Sequence, residues 1–287
     1  MSVIGVDLGG SKIAVGRFSN SWKLEEKRRR EVTPGESFPA VFAALVDEVK
    51  ALQTDGVIAL GVGVPGLIHQ PQGVIHTTPN IPGGEQFPLR EKLEKATGLL
   101  VAVDNDANCF ALASAKLGLG KGKKVVVGIT VGTGVGGGIV IDGKPFRGAH
   151  GFAAEIGHML LRPGEPPYPT QDMRGEVEQF FSGKAMGKRC EAARDPNDYL
   201  EGEVCAFMHK DIYKEVAWMC CNLTHLLDPD IIVFGGRAGR ALAPHLDGIR
   251  VELTQWLLPG TPVPELAIET LPDAELLGAA LLTSTKH

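Results

Sequence analysis

The sequence has few cysteines, no long basic run and no long apolar stretch, and each shortage removes a class of protein. Its five cysteines, Cys109, Cys190, Cys205, Cys220 and Cys221, include no Cys-x-x-Cys pair. Neither a disulfide scaffold nor a zinc ribbon is expected, and all five read as buried, reduced thiols. No segment offers the ~18 uninterrupted apolar residues of a membrane helix. The opening run Val3-Ile4-Gly5-Val6-Asp7 lacks the basic segment and long apolar core of a secretion signal, so a cytoplasmic protein is expected, with no membrane partner. Lysine and arginine number 29 against 34 aspartates and glutamates, a formal net charge of −5. The run Lys27 to Arg30 is flanked by Glu25, Glu26 and Glu31, which reads as a solvated turn, and no nucleic-acid partner is expected. With 44% hydrophobic and 22% charged residues, disorder and collagen-like structure are excluded. At roughly 100–200 residues per domain, the 287 residues suggest two domains or one large one.

What the chain has in excess is glycine, 37 residues where an average chain has ~7%. Glycine costs backbone entropy and is kept where positive φ or close approach requires it. Val3–Asp7 and Ile13–Phe18 read as strands joined through a glycine-rich corner. Phe38, Val41, Phe42, Leu45, Val49 and Leu52 form a helical stripe. Val57–Val64 is a strand ended by Pro65-Gly66, Gly73–Thr77 a weaker strand, Leu89–Thr97 a helix and Leu100–Val103 a strand. Asp106 then caps a helix over Ala107–Leu117. A second hairpin follows, with strands Val125–Thr130 and Ile139–Ile141 around a glycine loop, Gly132 to Gly138. Shifting the chain by 123 residues lays Ile4-Gly5-Val6-Asp7-Leu8-Gly9 on Val127-Gly128-Ile129-Thr130-Val131-Gly132, strand on strand and glycine on glycine. After a polar, proline-rich loop at 162–174, helices are expected over Val177–Cys190 and Phe207–Leu227, a strand over Ile231–Phe234 meeting Gly235-Gly236, and a last helix over Ala274–Leu282. The fold class is therefore α/β with a duplicated unit.

Asp7-Leu8-Gly9-Gly10-Ser11-Lys12 offers bare backbone N–H groups, a hydroxyl, an ammonium and a carboxylate at a strand end, the parts of a phosphate and metal cradle. A tight hairpin corner explains the same residues. The second loop, Gly132-Thr133-Gly134 onward, at the equivalent place favours a polyphosphate grip. Gly132-x-Gly134-x-x-Gly137 also matches a dinucleotide fingerprint, but a strand and turn follow it where that motif needs a helix. Asp104-Asn105-Asp106-Ala107-Asn108 sets carboxylates and amides where a strand becomes a helix, the edge at which doubly wound folds place ligands. A carboxylate there could take a hydroxyl proton while an amide orients the alcohol. Glu155-Ile156-Gly157-His158 supplies a second polar pair.

In this order the motifs resemble the ROK family of sugar kinases (repressor, open reading frame, kinase) over nearly the whole chain. The resemblance rests on Asp7–Lys12, Gly63-Val64-Pro65-Gly66, Asn105-Asp106-Ala107-Asn108, Gly132–Gly138, Glu155–His158, and Leu227-Asp228-Pro229-Asp230-Ile231-Ile232-Val233-Phe234-Gly235-Gly236. It implies an actin-like ATPase (ribonuclease H-like) fold, with a small domain over 1–114 onto which 273–287 packs back and a large domain over 115–272. It also implies an ATP-dependent hexose kinase whose two lobes close over the substrates. Asp106 would be the general base. Gly66, Asn80, Asn105, Glu155, His158 and Glu178 would bind the sugar. Asp7 would help hold Mg²⁺. Gly9, Gly10, Ser11, Lys12, Gly132, Thr133 and Gly134 would hold the phosphates, and Gly235 and Gly236 would border the adenosine. With all five glycines of the loop 132–138 counted beside Gly9, Gly10, Gly235 and Gly236, nine glycines fall at phosphate or adenosine on this reading. Glucose is the first expectation for the sugar, followed by fructose, mannose, allose or an N-acetylhexosamine. A homodimer is implied.

Two rival readings are a sugar-responsive repressor of the same family and a non-catalytic sugar- or nucleotide-binding module. The first needs an added N-terminal helix-turn-helix for which the strand at Asp7 leaves no room; the second is disfavoured by Asp106. One departure stands out. The family usually carries Cys-x-Cys-Gly-x-x-Gly-Cys-x-Glu after its Gly-His pair, and its three thiolates and that histidine bind structural zinc. Here the segment reads Tyr168 to Glu178 with one extra residue and no cysteine. Glu178 falls on the final Glu. Zinc needs three or four ligands at short spacing, so no structural zinc is expected.

Overall fold

The first hairpin forms from two strands whose inward residues are all apolar: β1 (Ser2–Leu8) and β2 (Lys12–Ser19) pair antiparallel from Ser2 opposite Ser19 to Leu8 opposite Ile13. The computed structural model describes residues 1–78, 82–193, 199–200 and 202–284. Its chain divides into two units. The first comprises Met1–Ala113, Lys144–Ala153 and the residues from Leu271 on; the second comprises Ser114–Gly143 and Ala154–Thr270.

In the first unit β3 (Leu24–Glu31), β2, β1, β4 (Val57–Val64) and β7 (Leu100–Asn105) form one sheet in that order, with β1, β4 and β7 parallel. A small hairpin, β5 (Leu67–His69) and β6 (Val74–Thr77), stands apart. Helix α1 (Phe38–Leu52) buries Phe38, Val41, Leu45, Val49 and Leu52, the stripe its spacing predicts. α2 (Leu89–Thr97) adds Leu93 to the same core, and Gly98 ends it in the left-handed region at φ 72°, the usual glycine stop. α3 (Asp106–Leu117) follows β7 directly.

The last helix, α9 (Ala274–Leu282), lies on β1 and β4. Two glycines permit its approach. A Cβ on Gly61 would overlap the Ala279 carbonyl, and one on Gly278 would overlap the carbonyl of Cys109 in α3. A side chain at Gly61 would push the helix off the sheet, and one at Gly278 would push it off α3.

In the second unit β9 (Val135–Ile141), β8 (Val125–Val131), β10 (Ile231–Gly235) and β11 (Glu265–Ile268) lie side by side in that order, β8 antiparallel to β9 and parallel to β10. The strand plan of the first unit is repeated, and Gly5 and Gly128, 123 residues apart in sequence, hold equivalent places, opposite Gly16 and Gly138. α6 (His209–Leu227) and α8 (Leu246–Trp256) bury Ile212, Val216, Met219, Leu223, Ile249 and Leu253 with Val127, Ile129, Ile232 and Phe234. Short helices α4 (Glu178–Phe181), α5 (Gly183–Arg189) and α7 (Gly236–Arg240) complete the unit. Among the described residues no helix is long and apolar enough to cross a membrane.

Several expectations need correction. Lys27–Arg30 is not a turn but the middle of β3, where charged side chains suit a sheet edge. The glycine loop 132–138 shrinks to Gly132–Gly134, because Gly136, Gly137 and Gly138 pair within β9 with Thr130, Ile129 and Gly128. The expected helix over 177–190 breaks at Ser182, whose hydroxyl caps α5 by accepting from Ala185 N at 3.1 Å. The cysteines are not all reduced thiols. Cys190 and Cys205 form a disulfide with Cα atoms 6.1 Å apart, while Cys109, Cys220 and Cys221 are free and buried. The two partners stand 15 residues apart, a spacing that carries no sign of their approach in space.

Candidate functional site

In the first unit the chemistry gathers at the carboxyl ends of the parallel strands. Asp7 of β1 pairs with Gly63 of β4, which pairs with Asp104 of β7, and Val64 pairs with Asn105. Three turns therefore leave one sheet edge together, the place where α/β folds bind ligands.

At the β1–β2 corner Gly9 N donates to Lys12 O at 2.8 Å and Ser11 O accepts from Val32 N at 2.9 Å. Lys12 Nζ lies 3.4 Å from Asp7 Oδ2, with the Asp7 side chain only 14% exposed. Burial raises the Asp7 carboxyl above the usual aspartate range, and the Lys12 charge opposes that rise. Magnesium keeps most of its water and is commonly held through one or two carboxylates plus substrate phosphates. A largely buried carboxylate beside an ammonium and bare backbone fits that mode.

At the β7–α3 junction the two aspartates part. Asp104 is 1% exposed and accepts from Asn105 N at 2.8 Å, Asn108 Nδ2 at 2.9 Å and Arg147 Nε at 2.7 Å. It is a structural anchor. Asn105, rather than Asp106, makes the main cap, its Oδ1 accepting from Ala107 N at 2.8 Å and from Asn108 N at 3.4 Å. Its Nδ2 donates to Gly66 O at 3.0 Å, and Gly66 takes φ 98° to present that carbonyl. Asp106 opens α3, with Oδ1 2.9 Å from Ala107 N, a position where the helix dipole favours negative charge. Asn80 lies outside the described residues.

Arg147 was not singled out from the sequence, and no periodicity marks it. It belongs to the segment Lys144–Ala153, which groups with the first unit. Besides the ion pair to Asp104, Gln70 N donates to His150 O at 3.2 Å, and the Phe152 ring packs at a tilt against His69, centroids 4.8 Å apart. Such tertiary pairing leaves no trace in local spacing.

In the second unit the β8–β9 corner is tighter: Gly132 N donates to Gly134 O at 2.9 Å, and Gly132 O accepts from Gly183 N at 2.8 Å at the start of α5. Gly132 has no positive φ, and a Cβ there would meet nothing within 4 Å. Neither the local backbone nor the packing requires glycine at this position, and the empty side of Gly132 is a place a ligand's phosphate can approach. Gly134 differs, since a Cβ there would collide with the Glu178 carboxylate, which accepts from Val135 N at 2.9 Å. Gly235 pairs with Thr130, and Gly236 turns at φ 76° against Val131. Both glycines therefore stand beside the same corner. Glu155 precedes the short turn Ile156–His158, and burial raises its carboxyl above the ordinary range, with the nearby His158 lowering it. His158 Nδ1 faces Glu176 at 3.2 Å.

Two α/β units, each led by a hairpin with a glycine corner at the strand ends, define an actin-like ATPase fold. The chain belongs to the ROK family, whose model matches residues 3–286. It is similar to the N-acetyl-D-glucosamine kinase of Erwinia tasmaniensis, at 34% identity over 97% of this chain and 98% of that protein. Among solved structures it resembles the ROK hexokinase from Thermus thermophilus, with 33% identity, TM-score 0.83, and coverage of 98% of this chain and 97% of that one. It also resembles a ROK family glucokinase from Streptomyces griseus solved in complex with glucose and AMPPNP, with 30% identity, TM-score 0.79, and coverage of 98% and 99%.

Proposed function

We propose that this protein transfers the γ-phosphoryl group of ATP to a hexose hydroxyl, with glucose the first candidate and N-acetylglucosamine, mannose, fructose or allose the alternatives. The observation that carries the reading is the β7–α3 junction. There Arg147 and Asn108 hold Asp104 as a structural anchor, and Asp106 stands at the helix start, where the helix dipole favours negative charge, beside the amide of Asn105. Phosphoryl transfer depends mainly on positioning and charge neutralisation. Asp106 takes the proton of the attacking hydroxyl, and Asn105, Gly66, Glu155, His158, Glu178 and Asn80 read the other hydroxyls. Each buried hydroxyl left unpaired costs about 1–3 kcal/mol, so such groups also sort sugars by stereochemistry. Gly9 to Lys12 and Gly132 to Gly134 offer backbone to the phosphates, and Gly235 and Gly236 offer bare backbone to the adenosine. Asp7 would help hold magnesium with the nucleotide, and the ion would supply neutralisation of phosphate charge. Similarity to an N-acetyl-D-glucosamine kinase and to a glucokinase supports the class of reaction and leaves glucose and N-acetylglucosamine both in view.

The test is a coupled ADP-release assay with Mg-ATP over a sugar panel. Turnover on at least one hexose is expected, and Asp106→Ala is expected to lower kcat by about 10²–10⁴-fold, the range of a general base, with sugar binding by calorimetry retained. Absence of turnover on every sugar overturns the reading.

A further inference from the structure

With Glu178 on the last Glu of the family's zinc segment, the cysteine of Cys-x-Glu falls on Glu176. Glu176 is 7% exposed, and its Oε2 lies 3.2 Å from His158 Nδ1 and 3.1 Å from Arg174 Nε, contacts of charge and proximity in which Oε2 completes no hydrogen bond. Zinc needs three or four Cys, His or carboxylate ligands around one point. This set offers one imidazole and one carboxylate, and the Arg174 guanidinium already brings positive charge to that carboxylate. Among the described residues no group of three or more His, Cys, Asp or Glu is arranged to hold a metal ion. The residues do not fit zinc.

They do form a closed structure of another kind. Leu160 and Glu176 make an antiparallel bridge, with Val177 N donating to Met159 O at 2.9 Å and Leu161 N to Gly175 O at 2.8 Å. In that register 160 opposes 176, so 158 and 178 are carried to the same end, with the loop 161–175 at the other. Gly175 closes the loop at φ 73°, where a Cβ would overlap the Arg162 carbonyl. Gln179 fastens it from within: its Oε1 accepts from Gly175 N at 2.7 Å and Glu176 N at 3.3 Å, and its Nε2 donates to Asp172 Oδ1 at 2.7 Å and Thr170 Oγ1 at 3.3 Å. At the bridge's other end Glu178 is fixed by Val135 N.

We infer that Glu176, with Arg174 and Gln179, forms a metal-free clasp that positions His158 and Glu178 for the sugar, so that Glu176 sets sugar affinity without touching the substrate. The inference rests on the sugar-kinase reading above. Without the clasp, ordering the loop becomes a cost of binding sugar, whereas the backbone of the phosphate corners, Gly9 to Lys12 and Gly132 to Gly134, lies outside the loop 161–175.

Glu176→Gln and Gln179→Ala, made in the full chain, separate these effects. Each is expected to raise the sugar KM about 10-fold or more, as loss of a partner that orients a binding residue does, with the Mg-ATP KM within about twofold of wild type. Glu176→Asp is expected to recover part of the sugar affinity. In the nucleotide-free protein, hydrogen exchange over 159–178 is expected to be slow with or without EDTA and to quicken in Glu176→Gln. The clasp is overturned if EDTA quickens wild-type exchange, if metal analysis finds stoichiometric zinc, or if both variants leave the sugar KM unchanged. Should wild type turn over no sugar, the proposed function falls and the exchange measurement still decides the clasp. Should Glu176→Gln fail to fold, Gln179→Ala carries both readouts.

Discussion

The β1–β2 and β8–β9 corners share one strand plan and differ in where their charge comes from. The first carries its own: Asp7 and Lys12 flank the turn 3.4 Å apart, and the carboxylate is held in a buried place that raises its pKa. The second has no charged residue between Val131 and Val135, and its carboxylate, Glu178, arrives from α4 to accept from Val135 N at 2.9 Å. One backbone template has thus been given two electrostatic characters, one with an acid and a base in its own turn and the other with a single carboxylate borrowed from a neighbouring helix.

The largest break in this comparison is expected from Asp7→Asn, which should lower kcat/KM for Mg-ATP by about 10²-fold, on the scale of losing one charge-stabilising group. Stability should move the opposite way. A carboxylate whose pKa rises on folding binds its proton more tightly in the folded state, so its charge at neutral pH opposes folding. Asp7→Asn should therefore raise Tm by a few degrees at pH 7, about what 1 kcal/mol gives in a domain of this size, and the gain should vanish in acid. A fall in Tm on calorimetry contradicts the burial argument.

Glu178→Gln is expected to have the next largest effect, raising the sugar KM by about 10-fold as a charged hydrogen-bond acceptor is lost, with the Mg-ATP KM unchanged. If the ATP term moves instead, the second corner is electrostatically like the first and the contrast fails. Gly132→Ala is milder. Its Cβ enters open space at an ordinary φ, so the unfolding free energy should stay within about 0.5 kcal/mol of wild type, as for substitutions that touch nothing, while the Mg-ATP KM rises severalfold. The smallest effect is in pH. Because Asp7 titrates above the ordinary aspartate range, Mg-ATP affinity should begin to fall on acidification before an ordinary aspartate protonates, and Lys12→Met, which removes the opposing charge, should move that fall to higher pH.

Strands, long helices and the duplicated hairpin were legible because burial imposes a period on the sequence: the α1 stripe and the Gly5/Gly128 repeat are local or fixed-offset patterns. Gly132 was marked as a candidate phosphate position by its place in a glycine-rich hairpin corner, and the structure adds that neither its φ nor its packing requires glycine. The roles of Asp104 and Asp106 were not separable from spacing alone, since the difference lies in Arg147, more than 40 residues away in sequence. The Cys190–Cys205 pairing and the grouping of Lys144–Ala153 escaped for the same reason: each depends on which segments meet in space. Glu176 lay between these extremes. Its alignment with a cysteine position was readable, but its pairing with His158 and Arg174 needed coordinates.

The C-terminal helix α9 has a consequence for how the molecule is made. The sheet beginning at Ser2 is finished by a helix that starts at Ala274, laid on glycines that keep the sheet surface bare until it arrives. Domains fold as they emerge from the ribosome, N-terminal ones first, yet this N-terminal unit must wait for nearly the whole chain. The second unit, encoded in between, has all of its strands first. During synthesis the order of completion is therefore reversed, and a stop codon before Ala274 would deprive the part translated earliest of its last layer.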